Sequence, residues 1–526
     1  MSPRLVLVAL CALGPTLRAQ APERAVFLVR VGAETLAVEN VSRDGARLEG
    51  RLVMRTPLLR LGQQVTLSDS STVERVTTAM SVGATGDSVQ QRAELVFRGD
   101  SAFSHVEDTR ATTPAPDRRF GVAPGSIPLL NLSGLSLELL LRRARAVGGD
   151  TARVPVLLLT GQSLLATVSR LGGDSALVGL GGVVLRARTD RDGRLLGAIV
   201  PSQNLVFERL PAESPVAAWS PVLVSYAAPS GAPYTAAEVA VRTPAGLTLV
   251  GTLTVPAHAA RARVPAVVMI TGSGAQDRDE GTPVLGKWRP FREIADTLSR
   301  RGIAVLRLDD RGVGRSDAGP ATATSADYAD DVRAALAWLR TRPGIDPTRL
   351  GLVGHSEGGI IAPMVAARDP LLRGIVLIAG TASRGRDILA AQRRSIIGAD
   401  TMLSPARRDS LLAAATREAD SAYATPGWLR WFADYEPLVT ARRVRVPTLI
   451  LQGETDRQVP VEEARRLAAT MRAAGNRRVT LRTFPRMNHL MVDDPAGDLR
   501  GYTTLPRYQV RKDLLGALAD WLAKTL

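Results

Sequence analysis

Cysteine is nearly absent: Cys11 is the only one in 526 residues. It sits in an apolar stretch, Leu5 to Leu13, which follows Arg4 and precedes small residues near Ala19 and Ala21. That order reads as a secretory signal peptide over residues 1–20, and so predicts a secreted or periplasmic protein. Val8-Ala9-Leu10-Cys11 is a poor lipobox because Leu10 is large, and the apolar run is too short to span a bilayer. No stable membrane anchor is therefore expected. Loss of the leader would leave no cysteine, which excludes disulfides, thiolate metal sites and a cysteine nucleophile. Lysine is also scarce, with Lys287, Lys512 and Lys524 alone, so arginine carries nearly all of the positive charge behind a net +16. The arginines are scattered, and aromatics make up only 4%, too few for a base-stacking platform. Nucleic acid is not an expected partner. No H-E-x-x-H, EF-hand or P-loop pattern occurs, so no metal site or cofactor is expected.

What is present centres on Arg349-Leu350-Gly351-Leu352-Val353-Gly354-His355-Ser356-Glu357-Gly358-Gly359. An apolar strand-like run ends in G-x-S-x-G, and a helix-like run begins at Ile360. This is the context of a nucleophile elbow, a sharp strand-to-helix turn that lifts a serine hydroxyl above a sheet. A serine hydroxyl is a poor nucleophile at neutral pH and needs a base within hydrogen-bond reach. His489 is the only histidine after Ser356. It follows the strand-like Arg478-Val479-Thr480-Leu481, where a general base would belong. The orienting acid should lie in the loop after the strand Val446 to Gly453, which offers Glu454 and Asp456. Asp493 and Asp494 lie too close to His489 in sequence to orient it comfortably. The oxyanion of a tetrahedral intermediate needs preorganised N–H donors. The backbone of Glu357 and of Ser273, in the small-residue loop after Val267 to Ile270, are the expected pair.

Four motifs stand in a recognisable order over residues 234–526. Thr271-Gly272-Ser273-Gly274-Ala275-Gln276-Asp277-Arg278-Asp279 resembles the oxyanion loop of secreted bacterial esterases, often H-G-S-G-P-x-D-R-D. Leu308-Asp309-Asp310-Arg311-Gly312-Val313-Gly314-Arg315-Ser316 is similar to their D-x-R-G-x-G-x-S turn. Gly354 to Gly359 and the Gly453-x-x-Asp456 spacing complete the set. The chain thus resembles the α/β-hydrolase superfamily, and within it serine esterases and their serine-peptidase-like relatives. Thr271 and Ala275 depart from the family's histidine and proline, which bears on loop orientation and substrate preference. The resemblance implies a mostly parallel sheet, and it selects Asp456 over Glu454 as the partner of Ser356 and His489. The Arg-rich helical stretch 384–436 interrupts the strand-helix alternation and reads as a small lid. Its Trp428 and Trp431 are candidate acyl-pocket residues. Asp277, Arg278, Asp279 and Glu280 border the site, either as a solvated charge run or as a rim that recognises a charged group. His355, beside the nucleophile, reads as structural.

Residues 24–210 have a different texture. Short alternating runs such as Val26 to Val31, Arg47 to Val53 and Leu205 to Arg209 are punctuated by Arg43-Asp44-Gly45 and Asp192-Gly193. They predict an antiparallel β-rich domain, a curved sheet or partial barrel, with no catalytic constellation. Segment 211–235, rich in Pro, Ala and Ser, reads as a linker to a catalytic domain at 236–526. The expected function is exported serine hydrolysis of small or medium acyl esters through an acyl-enzyme. The alternatives are a serine peptidase or thioesterase with the same triad, and a non-catalytic binding protein.

Overall fold

A computed structural model describes residues 22–526, apart from 33, 56–57, 70, 83–88, 110–115, 159–160, 181–182, 222–223, 261, 282–284, 286, 321, 399–403 and 425. The expected leader, with Cys11, lies outside the described residues. Among the described residues, no helix is long and apolar enough to cross a membrane.

The N-terminal half is one fifteen-stranded sheet running from Glu23 to Pro211. All its neighbours are antiparallel except Ile127–Leu129, which pairs in parallel with Thr151–Leu158. The strands form because every second side chain is apolar and faces one side, as in Arg47–Met54, where Leu48 and Leu52 are buried between exposed Arg47, Glu49 and Arg51. Gly45 closes the hairpin before that strand with a φ of 56°, a conformation glycine adopts without steric cost. The sheet curls until its two ends approach, and Ser163 Oγ donates to Gly121 O at 3.3 Å.

Helix α1 (Gly134–Val147) fills the concave side, and its residues from Gly134 to Leu141 are all buried. It was not expected from sequence, because Leu135-Ser136-Leu137-Glu138-Leu139 alternates like a strand. Glu138, Arg142 and Arg145 do recur at helical spacing, but the alternation of its first turns masks that period. Its N-terminus is capped by Ser133, whose side chain accepts from the Ser136 N–H. Glu39 reaches the same turn from the sheet. It accepts from Leu135 N–H at 3.1 Å, Ser133 Oγ at 2.8 Å and Gln63 Nε2 at 2.6 Å. Burial raises its carboxyl to about 6 despite these donors.

The second sheet has eight strands: β1 (Tyr234–Arg242), β2 (Thr248–Pro256), β3 (Val264–Ile270), β4 (Ala304–Leu308), β5 (Ile345–His355), β6 (Gly374–Ile378), β7 (Thr448–Gly453) and β8 (Val479–Phe484). Their spatial order is β1-β2-β4-β3-β5-β6-β7-β8, with β1, β2 and β4 antiparallel neighbours and the rest parallel. The central strands are apolar on both sides because helices cover both faces. Val268, Leu352 and Ile450 point to a core shared with α3 (Ser325–Arg340) and α9 (Val461–Ala473). Val267, Val353 and Leu449 point to a core shared with α2 (Pro290–Arg300) and α10 (Lys512–Thr525). After β6 the chain forms α5 (Gly385–Gly398), α6 (Pro405–Ala424), α7 (Trp428–Asp434) and α8 (Pro437–Ala441) before returning to the sheet. Among the described residues of segment 211–235, Ala217 O accepts from Asn40 of the first sheet, and Ser225 O from Arg292 of α2.

The Glu39 carboxyl predicts a pH dependence. Its ordinary value of 4.5 holds in the unfolded chain, and about 6 in the folded one. Between those limits the folded state binds the extra proton, so stability falls as pH rises from 4.5 to about 6 and is level above. Wild type should gain roughly 2 kcal/mol over Glu39→Gln as pH is lowered from about 7 to about 4, read from paired unfolding midpoints. A difference between the two that does not change with pH would contradict this.

Candidate active site

β5 ends at His355, and α4 (Gly358–Ala366) begins three residues later. Ser356 sits between them with φ 53°, in the left-handed region that a residue with a Cβ occupies only under constraint. Its N–H donates to Ile378 O at 2.8 Å, which pins the turn to the end of β6. The flanking glycines are there for space. A Cβ on Gly354 would overlap the backbone of Gly358, and one on Gly358 would overlap Ile270 O. A Cβ on Gly359 would strike Gly380.

His489 lies in the loop after β8, directly across the C-terminal edge of the sheet. Its Nδ1 is 2.8 Å from Asp456 Oδ2. Asp456 Oδ1 accepts the N–H groups of Gln458 and Val459 at 2.8 and 2.9 Å, and Oδ2 also accepts Gln452 Nε2 at 3.0 Å. Four donors therefore hold this buried carboxylate, leaving Nε2 as the imidazole atom free to face a reacting group. Glu454, the other acid of that loop, turns away and accepts from Thr483 Oγ1. Asp494 is engaged by Asn488, and Asp493 by Arg486.

The loop after β3 approaches the serine from the other side. Gly272 is so close that an added Cβ would stand 3.3 Å from Ser356 Cβ. Ser273 is exposed, and among the described residues neither its backbone N–H nor that of Glu357 donates to a protein acceptor. The Gly272 N–H is already used, donating to Glu280 Oε1 at 2.8 Å. That same oxygen meets His355 Nδ1 at 2.8 Å, and His355 Nε2 meets His489 O at 3.0 Å. Burial pulls the His355 imidazole down, but the Glu280 charge and these hydrogen bonds outweigh it and hold it above its ordinary value.

Residues 290–512 match the sequence profile of the prolyl oligopeptidase family, Peptidase_S9. Esterase EstD of Thermotoga maritima is 27% identical over 267 residues, 49% of this chain and 62% of its own length. Thiohydrolase apmlB of Arthrinium phaeospermum is 34% identical over 142 residues, 27% of this chain and 42% of its own. The chain thus spans less than two thirds of either relative. An esterase structure from Pyrococcus furiosus aligns with 58% of this chain and 97% of its own, at 17% identity and a TM-score of 0.41. The C-terminal half has the α/β-hydrolase fold and is similar to esterases and peptidases.

In this α/β-hydrolase the charged run 277–280 is not a solvated rim, as one sequence reading had it. All four residues are buried. Arg278 forks onto Asp309 through Nε at 3.0 Å and Nη2 at 2.7 Å, with exposures of only 3% and 2%. Asp277 binds Arg289 at 2.9 Å and Tyr226 Oη at 3.1 Å, and Asp279 pairs with Arg307. The run looks solvated in sequence because its partners lie on β4, on the turn after it and at the start of α2. Asp277, Arg278 and Asp279 thus spend their charges on these partners.

A cavity of about 330 Å³ opens beside Gly272 and Glu357. Leu249, Val268, Ile361, Tyr328 and Trp428 give it apolar walls, and Asp310 and Glu357 give it acid. Trp428 stands at this wall, whereas Trp431 does not; it stacks on Tyr435 with centroids 4.5 Å apart. The two tryptophans are three residues apart on α7, and only one face of the helix meets the cavity. Asp310 belongs to the turn that is similar to D-x-R-G-x-G-x-S. It braces the loop after β3, accepting Thr271 Oγ1 at 2.7 Å and Gln276 N–H at 2.9 Å, and it also lines the cavity. Burial pushes its carboxyl well above the usual range, against those two hydrogen bonds. Burial likewise raises Glu357, partly offset by Ser325 and Trp428.

Asp309→Ala would leave the Arg278 guanidinium buried without its carboxylate. The expected loss is about 3–5 kcal/mol of stability, read from the denaturant midpoint. A loss below roughly 1 kcal/mol, typical of a surface pair, would show that the pair does not hold the loop.

Proposed function

We propose that the chain is an exported serine carboxylesterase acting on small or medium acyl esters through an acyl-enzyme, with Ser356, His489 and Asp456 as its triad. The observation that carries this is the strained, glycine-walled serine placed on the same sheet edge as an imidazole already oriented by a buried carboxylate. His489 would take the hydroxyl proton as Ser356 attacks the acyl carbon, then pass it to the leaving alcohol. Asp456 would keep the imidazole in the tautomer with Nδ1 protonated and stabilise the imidazolium. The unused N–H groups of Glu357 and Ser273 would receive the oxyanion of the tetrahedral intermediate. Water would then repeat the sequence on the acyl-enzyme, again with His489 as base. No cofactor enters this scheme. Helices α5 to α7 would act as a lid, with Trp428 on the wall of the acyl cavity. The apolar leader over residues 1–20 supports export, and the N-terminal β-rich half would be a separate domain.

The same machinery cleaves amides and thioesters. The prolyl oligopeptidase profile over 290–512 favours a peptidase as the second reading, and the likeness to a thiohydrolase admits thioesters. A non-catalytic binding role has no such support.

The deciding experiment is hydrolysis of short-chain p-nitrophenyl esters and matched aminoacyl p-nitroanilides by wild type, Ser356→Ala and Asp456→Asn. Wild type should turn over the esters, Ser356→Ala should lose about a thousandfold or more, and Asp456→Asn about ten-thousandfold with its geometry intact. Turnover of the anilides in preference to the esters would move the peptidase reading ahead. Equal rates for wild type and Ser356→Ala would remove Ser356 from the chemistry.

A further inference from the structure

The cavity wall carries two carboxylates that no protein cation matches. Arg311 also lines the cavity, but Asp331 engages it through Nε at 2.6 Å and Nη2 at 2.8 Å. Arg278 is engaged by Asp309 in the same wall. Asp310 has only the uncharged donors Thr271 and Gln276. Glu357 accepts Ser325 Oγ at 2.5 Å and Trp428 Nε1 at 2.7 Å, both on Oε1. Its Oε2 has no hydrogen bond to a described residue, although the side chain is only 4% exposed and lines the cavity. Among the described residues this oxygen is not a fully enclosed one, so it opens to the cavity and is free to meet a donor that enters.

The surroundings narrow what that is. A hard metal ion would want six or more oxygens in a shell, but these walls are largely apolar and aromatic. An anion would face two acids. An alkylammonium group suits both kinds of wall, since it donates charged hydrogen bonds to carboxylates and is attracted to aromatic faces such as those of Tyr328 and Trp428. We infer that the cavity takes substrates bearing an alkylammonium group, held by Glu357 with Asp310 as a second acidic wall. This rests on the serine-hydrolase reading and adds a substrate class to it. Burial holds both carboxyls above their ordinary range. The chain's net charge of +16 opposes a cation at long range, so any preference must arise from these local contacts.

Two substrate pairs test it, each matched in shape and differing in charge. One places the charge on the acyl side, p-nitrophenyl ε-aminocaproate against p-nitrophenyl heptanoate. The other places it on the alcohol side, 5-aminopentyl acetate against hexyl acetate. In one of the pairs kcat/KM should favour the cation about tenfold or more, and that pair identifies the part of the substrate entering the cavity. The ratio should fall to near unity in Glu357→Gln, whatever happens to its rate on the neutral ester. Turnover of neutral esters without a cation preference in either pair would overturn the inference and leave the hydrolase reading standing. A preference that survives Glu357→Gln would also overturn it. If no ester is cleaved, the hydrolase reading fails, and calorimetric titration with hexylammonium decides. Binding to wild type but not to Glu357→Gln supports the ammonium site, and absence of binding to wild type rejects it.

Discussion

Holding a serine at a φ of 53° costs roughly 1–3 kcal/mol of backbone strain, and the packing around the elbow follows from that constraint. The turn is tight enough that Gly354 touches the backbone at Gly358, Gly358 touches β3, and Gly359 touches Gly380 after β6. Three strands and a helix therefore meet at contact distances that no side chain could enter. The cores on both faces of the sheet supply the stabilisation that keeps them there. Ile270, Leu352 and Ile361 pack on one face and Val267, Val353 and Ile378 on the other, all buried. The reactive hydroxyl is presented because these apolar contacts leave the chain no wider turn to relax into.

That elbow was legible in the sequence because sterics restrict which residues can build it. The glycines announce the close approaches, and chain order then selects His489. Asp456 was less legible. Residues 454 and 456 are both acids of one loop, and spacing alone does not say which turns inward. The structure separates them by their donors: four groups converge on Asp456, while Glu454 takes the hydroxyl of Thr483. The run 277–280 was misread for a related reason. A charge is judged solvated when no partner is near in sequence, but Asp309 lies about thirty positions from Arg278, and only the parallel alternation of strand and helix brings them together. Helix α1 was invisible because the alternation Leu135-Ser136-Leu137-Glu138-Leu139 at its start masks the helical recurrence of Glu138, Arg142 and Arg145.

The excess of arginine looks different once pairing is counted. Around the site, Arg278, Arg289, Arg307 and Arg311 are each bound to aspartates on other elements. Their planar, permanently charged heads suit such buried forks better than lysine would. The net positive charge is therefore a property of the outer surface and says little about the cavity, whose unmatched groups are acidic.

Glu280 joins the two sides of the site. It is fully buried and, like Ser356, sits in the left-handed region, at a φ of 62°. One of its oxygens receives both the Gly272 N–H and His355, and His355 in turn contacts the carbonyl of His489. The loop that faces an oxyanion and the loop that carries the base are thus linked through one carboxylate and one imidazole, without passing through the serine. Neighbouring Asp279, bound to Arg307 and Arg289, anchors that carboxylate to the sheet and to α2. A shift of the base loop would have to move His355, which is packed against Trp288 and closed on both ring nitrogens. Strain at Ser356 and Glu280 can persist because both residues are held by hydrogen bonds, Ser356 N–H to Ile378 O and Glu280 Oε1 from Gly272 N–H and His355.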